Sequence, residues 1–222
     1  MSQMPKGKGG RILGDELEPE KIVSEAARSG CMSIAYTYTE PTVFFEYAYD
    51  TAKLAHEKGI RNLFVTNGYT SGEAIREVAP FLDAANVDLK SYSEEFYHEI
   101  CGAKLQPLLD NIRLYKELGV WVEVTTLIIP GHNDDENQLE EIAEFIKQVG
   151  EDIPWHISAF YPAFKLLDVP PTPVESIRKA RDIGLSAGLK YVYEGNVPGE
   201  GGESTYCSNC GELLIERSGF YI

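Results

Sequence analysis

The stretch that decides the fold lies at residues 120–134 and reads VWVEVTTLIIPGHND. Its apolar and β-branched residues predict a long buried strand over Trp121–Ile129, which holds a single charged residue, Glu123. Polar residues begin where this strand ends, and Asp134 is predicted as the N-cap of a helix that runs to about Val149. A strand followed by a loop and a helix is the repeating unit of a parallel sheet with right-handed crossovers.

The same unit recurs in both directions from this stretch. Further strands are predicted at Met32–Tyr36, Asn62–Val65, Asn86–Leu89, Trp155–Phe160 and Lys190–Tyr193, and most are followed by amphipathic helices. The helix over Pro173–Ala187 has Thr172 as its predicted N-cap, Glu175 to complete a capping box and Gly188 at its end. About six strands are too few for a closed eight-stranded barrel, so the α/β pattern favours an open or partial barrel or a doubly wound sheet.

The chain divides by composition into two parts. We predict an α/β domain over residues 1–195, and a glycine-rich linker with a Cys-x-x-Cys tail over residues 196–222. Cys207 and Cys210 have zinc-knuckle spacing and are candidate metal ligands. Zinc needs four ligands, so a complete site within this chain is not expected. Cys31 and Cys101 are predicted as small core residues.

Charge and length exclude several classes of function. The 222 residues include 20 Lys and Arg and 35 Asp and Glu, which gives a net charge of −15. Such a surface repels nucleic-acid phosphates and anionic membranes. No apolar run reaches the length of a membrane span, and residues 1–11 lack the apolar core of a secretory signal. Four cysteines are too few for a disulfide scaffold, and we infer a reducing cytoplasm.

Unusual polar residues follow directly after the predicted strands. Because the carboxyl ends of parallel strands meet at one edge, we expect Glu40, Asn67, Asp88, Lys90 and His156 to meet there. Asp88 and Lys90 project to the same side of their strand, either as a structural ion pair or as ligand-binding groups. Glu40 is either a helix cap or a ligand-binding group. His156 is either a hydrogen-bonded core residue or a ligand-binding group.

These motifs resemble those of radical S-adenosylmethionine (SAM) enzymes of the pyruvate formate-lyase activating enzyme type. Among them, the radical SAM component of the AmmeMemoRadiSam system is the most similar. The likeness covers nearly the whole chain and includes the trailing Cys-x-x-Cys-Gly. It implies a partial (β/α)6 TIM-like barrel whose first strand is missing, with a small C-terminal tail like half a zinc ribbon. The segments that carry the likeness are Tyr36–Pro41, Val65–Tyr69, Asp88–Lys90, Leu127–Asp134 and His156–Pro162.

The resemblance also implies roles for individual residues. Thr39 and Glu40 stand at the family's Gly-Gly-Glu motif, which holds the amino group of SAM, and threonines take the place of its glycines. Asn67, Asp88 and Lys90 match positions that line the SAM pocket, and Lys90 suits the SAM carboxylate. His156 matches a strand that approaches the ribose and adenine.

The family's 4Fe-4S cluster is bound by a Cys-x₃-Cys-x₂-Cys loop that this chain lacks. The resemblance therefore implies two cofactors, SAM and a cluster whose ligands are not in this chain, with zinc at the incomplete Cys207–Cys210 pair as a third candidate. We interpret the chain as an internal piece of a longer protein and expect it to be inactive as given. An acidic residue often precedes the family's Thr-Asn-Gly, and Val65 stands there in this chain.

Two other functions stay open from sequence. One is a non-catalytic module that binds SAM or a protein, and the other is a metal-free lyase or aldolase that forms an imine at Lys90. The substrate, either a protein or a small molecule, is not assigned. An in-frame cysteine triplet upstream of Met1 would favour the enzyme.

Overall fold

Six parallel strands form one sheet in the order in which they occur along the chain. The computed structural model describes residues 16–197, 199, 201–219 and 221–222. The predicted character of residues 1–11 therefore lies outside the described residues. The strands are β1 Ser33–Tyr36, β2 Arg61–Thr66, β3 Ala84–Asp88, β4 Trp121–Ile128, β5 Trp155–Ala159 and β6 Val192–Gly195.

The strand order decides between the two architectures that the sequence left open. Each strand pairs in parallel with the next one along the chain, from β1 through β6. A doubly wound sheet has a point where the strand order reverses, and this sheet has none among its six strands. The winding is that of a partial TIM-like barrel, as predicted.

Helices join successive strands and cover one face of the sheet. Val87, Val124, Ile157 and Val192 point toward the helices and are buried, and Trp155 lies in the centre of this core without exposed surface. The helices are α1 Pro19–Arg28, α2 Phe45–Glu57, α3 Gly72–Val78, α4 Glu94–Phe96, α5 Leu105–Glu117, α6 Glu136–Val149 and α7 Val174–Ala187. None of the helices in the described residues is long and apolar enough to cross a membrane.

The opposite face, called here the inner face, is only partly covered. Strand side chains alternate between the two faces, so one residue in two points inward. These inner-face strand residues are at least partly exposed and include two of the six predicted site residues, Asp88 and His156; further examples are Leu63, Val65, Asn86, Glu123, Thr125, Leu127 and Tyr193.

Two predicted helix caps are wrong. Helix α6 is capped by Asp135, whose side chain accepts from Asn137 N and Gln138 N, whereas Asp134 accepts from Gly131 N in the preceding loop. Helix α7 has Pro173 at its N-cap without a side-chain bond, because the Thr172 hydroxyl is buried and donates to Ile128 O. Gly188 ends this helix in the left-handed conformation, as expected.

The predicted burial of two cysteines is also wrong. Cys31 lies in the turn between α1 and β1, and Cys101 ends a π-helical turn over Tyr97–Cys101; both are exposed. The adjacent apolar residues Met32 and Ile100 are exposed as well, so neither segment is buried at these positions.

The C-terminal tail forms a small antiparallel hairpin beside the last strand. Its strands are β7 Thr205–Tyr206 and β8 Leu213–Ile215. Backbone and side-chain bonds tie it to β6, from Glu194 N to Gly202 O and between the hydroxyls of Tyr193 and Thr205. In the linker, Pro198 and Glu200 lie outside the described residues. The boundary between the two predicted domains stays a prediction.

Candidate functional site

Glu40 links the loops that follow β1 and β2. Its carboxylate accepts hydrogen bonds from Thr42 N and Thr42 Oγ1, from Thr66 Oγ1 at 2.6 Å, and from Asn67 N at 2.8 Å. A carboxylate has about four lone-pair sites, and these four donors match them. Glu40 therefore caps the short 3-10 helix over Pro41–Phe44, as one reading of the sequence predicted, and it also holds the next loop in place.

The residues directly before Glu40 are Tyr38 and Thr39, so only one threonine adjoins it, and not two as the comparison with Gly-Gly-Glu suggested. The Tyr38 backbone has φ 42°, in the left-handed region that favours glycine. A tyrosine in this region is uncommon, and strained positions of this kind cluster at functional sites. The loop thus keeps a glycine-like backbone without the glycine.

Asp88 and Lys90 form an ion pair at the carboxyl end of β3. Asp88 Oδ2 lies 2.8 Å from Lys90 Nζ, and each side chain is 30% exposed on the inner face. This is the ion pair that the sequence left as one alternative. Partial exposure keeps both charges accessible to a ligand, so the pair and a binding role are compatible.

The backbone of Lys90 is held on both sides by residues that the sequence did not single out for this role. Lys90 N donates to the Tyr97 hydroxyl at 3.0 Å, and Lys90 O accepts from Asn133 Nδ2 at 2.5 Å. Asn133 is itself buried and bonds Leu127 O and Ile129 N. These bonds fix the main chain from which the lysine side chain extends.

His156 pairs with a carboxylate one strand away. His156 Nε2 lies 2.9 Å from Glu123 Oε2, and the imidazole stacks on the Tyr193 ring with centroids 5.2 Å apart. Glu123 also accepts from Trp121 Nε1 at 3.2 Å. The sequence noted Glu123 only as a charge in an apolar strand. The signal that could have placed Glu123 is strand alternation. Glu123 lies two residues before Thr125, which pairs with Asp88, so all three side chains point to the same face.

The structure brings the predicted residues together in two groups. The first group holds Glu40, Asn67, Asp88 and Lys90. Asn67 N donates to Glu40, and Asn67 and Asp88 are neighbours because each follows one member of a residue pair on β2 and β3. His156 lies in the same register row as Asp88, since both pair with Thr125. With strands about 4.8 Å apart, the two backbones are separated by roughly 10 Å, so His156 lies beside the first group and does not contact it.

The Cys207–Cys210 pair lies in the turn of the tail hairpin, away from this site. Backbone N–H groups of Asn209 and Cys210 hold the pKa of the Cys207 thiol below its usual value. No group of three His, Cys, Asp or Glu residues suited to a metal ion occurs within the described residues. The described chain thus offers this pair no third ligand, and a zinc site has no support beyond the two cysteines.

A model of the family described as the Radical SAM superfamily matches residues 3–146 of this chain. The chain belongs to this superfamily. The family match spans β1 through β4, and therefore includes Glu40, Asn67, Asp88 and Lys90. Membership supports an enzyme and implies SAM and a 4Fe-4S cluster at the level of the family.

Related proteins include several that are named as activating enzymes. The chain is 49% identical over 203 residues to an uncharacterized protein of Methanocaldococcus jannaschii, MJ0808. This alignment covers 91% of this chain and 60% of the relative. It is 30% identical to the isethionate sulfite-lyase activating enzyme of Desulfovibrio desulfuricans over 62% of this chain and 45% of that enzyme. It is 26% identical to the pyruvate formate-lyase-activating enzyme of Clostridium pasteurianum, over 82% of this chain and 81% of the relative.

Solved radical SAM structures share the fold. A domain of pyruvate-formate lyase-activating enzyme from Bacteroides vulgatus superposes with a TM-score of 0.61 and 22% identity, over 74% of this chain and 99% of that one. A radical SAM methyltransferase from Sphaerobacter thermophilus gives 0.64 and 19%, over 82% of this chain and 58% of that one. At these identities the likeness concerns the fold alone.

The chain spans 60% or less of the length of several relatives, including MJ0808. The activity of a whole radical SAM protein is therefore a proposal for this chain. The narrower likeness to the AmmeMemoRadiSam component stays a prediction, since none of the relatives named above carries that description.

Glu123 should make stability depend on pH in the acid range. The His156 hydrogen bond holds the pKa of the Glu123 carboxyl below its ordinary value. A carboxyl group whose pKa is lower in the folded than in the unfolded state stabilises the protein. This contribution is fully present at pH values above the unfolded-state pKa of about 4.3, and it is lost as pH falls through the folded-state pKa. We expect wild type to have a higher Tm than Glu123→Gln at pH 7, and the difference to narrow below about pH 4. A difference that stays constant or widens on acidification would contradict this.

Proposed function

We propose that this chain is the SAM-binding core of a radical SAM enzyme of the activating-enzyme type. The observation that carries the proposal is the accessible Asp88–Lys90 ion pair at the carboxyl end of β3, in a chain that belongs to the superfamily. SAM is a zwitterion attached to an adenosyl group. A lysine and an aspartate on an open polar face provide opposite charges for its carboxylate and amino groups.

Each predicted site residue has a proposed role. The ammonium group of Lys90 binds the SAM carboxylate, and the Asp88 carboxylate both orients that ammonium group and accepts from the SAM amino group. The hydrogen bonds of the Glu40 carboxylate occupy its lone pairs, so its proposed role is to order the loops after β1 and β2. In these ordered loops, Thr39 presents its backbone and Asn67 its amide group to the ligand. His156 approaches the ribose and adenine from β5, held by Glu123.

Together with a reduced 4Fe-4S cluster, bound SAM would supply a 5′-deoxyadenosyl radical for hydrogen abstraction from a substrate. The cysteines of this chain do not fit such a cluster. Cys31 and Cys101 lie in separate turns, and Cys207 and Cys210 lie on the tail hairpin. The described residues hold no three-ligand group, so we propose that the cluster ligands lie outside this chain.

Reconstitution of this chain with iron and sulfide should therefore give no stoichiometric cluster, because clusters need several thiolates at one place. Visible absorption spectroscopy with iron and sulfide analysis checks this. As a positive control, the same treatment is applied to a form extended upstream, if its coding sequence adds a cysteine triplet. A stoichiometric cluster on the 222-residue chain would contradict the proposal.

A non-catalytic SAM-binding module is the second candidate, because the Asp88–Lys90 pair would serve SAM binding with or without a cluster. The coding sequence upstream of Met1 separates the two. A cysteine triplet that restores the cluster and SAM cleavage supports the enzyme. SAM binding without such a triplet supports the module.

A further inference from the structure

A cavity opens at the amino end of the inner face, opposite the carboxyl ends of the strands. It has a volume of about 590 Å³ and lies where β4, β5 and β6 begin. Three of its lining residues mark these strand starts. Trp121 is the first residue of β4, Pro154 directly precedes β5, and Tyr191 directly precedes β6. The tail hairpin forms its other wall. Of the six predicted SAM-site residues, only His156 contributes to its lining.

Negative charge and aromatic surface dominate this cavity. Its described lining residues include the glutamates Glu123 and Glu203, one arginine, and the aromatic residues Trp121, Tyr191 and Tyr193. A third glutamate, Glu194, is buried and lies 3.9 Å from Arg181 Nε, so its charge is already paired. Trp121 is 47% exposed although it is among the largest apolar residues of the chain. The Glu123 carboxylate is held in place by Trp121 Nε1 and His156, and Glu203 accepts from the backbone N–H of Gly219. Two fixed carboxylates thus lie among aromatic rings.

The tail already places a cation in this setting. The Arg217 guanidinium lies 5.7 Å from the centroid of the Tyr193 ring, and the Arg217 side chain also donates to Thr205 Oγ1 and to Glu203 O. A guanidinium over an aromatic ring is a favourable cation–π contact. The walls of the cavity therefore suit a planar organic cation. At Tyr193 that cation is the guanidinium group of the chain's own Arg217.

We propose that this cavity binds a small organic cation of the guanidinium or amine class. Trp121 and Tyr191 would provide the aromatic walls, and Glu123 and Glu203 the counter-charges. Such a ligand replaces its hydration with π faces and carboxylates that the fold holds in place, which favours a cation over a neutral molecule of the same shape. Glu123 and His156 are shared with the proposed SAM site, whereas Trp121, Tyr191 and Glu203 belong to this cavity alone. Cation binding at Glu203 therefore does not depend on SAM binding.

Butylguanidinium and its neutral counterpart butylurea provide the test. Each is titrated into the full chain while binding is followed by calorimetry and by tryptophan fluorescence. Trp121 is the reporter, since the only other tryptophan, Trp155, is fully buried. We expect saturable binding of butylguanidinium, about tenfold tighter than that of butylurea. Glu123→Gln and Glu203→Gln should each weaken it several-fold.

Glu144→Gln is the matched control, because Glu144 lines a separate acidic groove of about 730 Å³ between α6 and α7. It should leave the affinity unchanged. Equal binding of the two probes, no saturable binding, or equal loss in Glu144→Gln would overturn the proposal. Two glutamate variants are used so that misfolding of one, detected by circular dichroism, still leaves a decisive result. SAM titrated into Glu203→Gln should bind as in wild type, which separates this site from the proposed function.

Discussion

Lys90→Ala should weaken SAM binding by about 10- to 100-fold, the range expected when one partner of a desolvated charge contact is removed. The lysine side chain is only 30% exposed, and the Tyr97 hydroxyl and Asn133 fix its backbone on both sides. Its ammonium group is therefore positioned before any ligand arrives. Isothermal titration calorimetry of SAM into wild type and variant measures the change directly.

Lys179→Ala is the control for this experiment. Lys179 Nζ lies 2.8 Å from Glu136 Oε2, the same separation as in the Asp88–Lys90 pair, but on the outer helical surface. Its removal should leave SAM affinity unchanged. If both variants bind SAM as wild type does, Lys90 has no role in the site. If both lose affinity alike, the effect comes from net charge and not from the inner face.

Trp155→Ala should destabilise the protein by about 3–5 kcal/mol, the cost typical of a large aromatic removed from a packed core. Trp155 is fully buried, and its Nε1 donates to Thr126 Oγ1 at 2.9 Å. The Thr126 hydroxyl donates in turn to Leu89 O, in the residue before Lys90. The substitution leaves a large cavity and breaks this chain of bonds. Urea unfolding followed by circular dichroism measures the loss.

Trp121→Ala is the comparison, because Trp121 is the other tryptophan and is 47% exposed at the start of β4. We expect it to cost about 1 kcal/mol or less, as is usual for partly exposed positions. Equal destabilisation by the two substitutions would show that the core is not centred on Trp155.

The fold could be predicted further than the site. In each strand–loop–helix unit, the spacing of apolar residues indicates the strand and the helix, and glycines mark where helices end. The six strands, their parallel direction and their order along the chain therefore follow from local sequence. Caps were less predictable. Asp134 and Asp135 are equally good caps by residue type, and only the path of the loop decides that Asp135 binds the helix. Thr172 looks like a cap, but tertiary packing buries its hydroxyl against β4.

What the sequence by itself determined is which residues end each strand and which side of the strand they share. Period-two alternation placed Asp88 and Lys90 on one side and left their pairing open. Only the tertiary structure decided that the strands wind in one direction, that Glu40 reaches Thr66 and Asn67, and that Glu123 meets His156. The physical reason is distance along the chain. These contacts join residues 26 to 33 positions apart, and their geometry depends on how whole strands register, which no local pattern specifies.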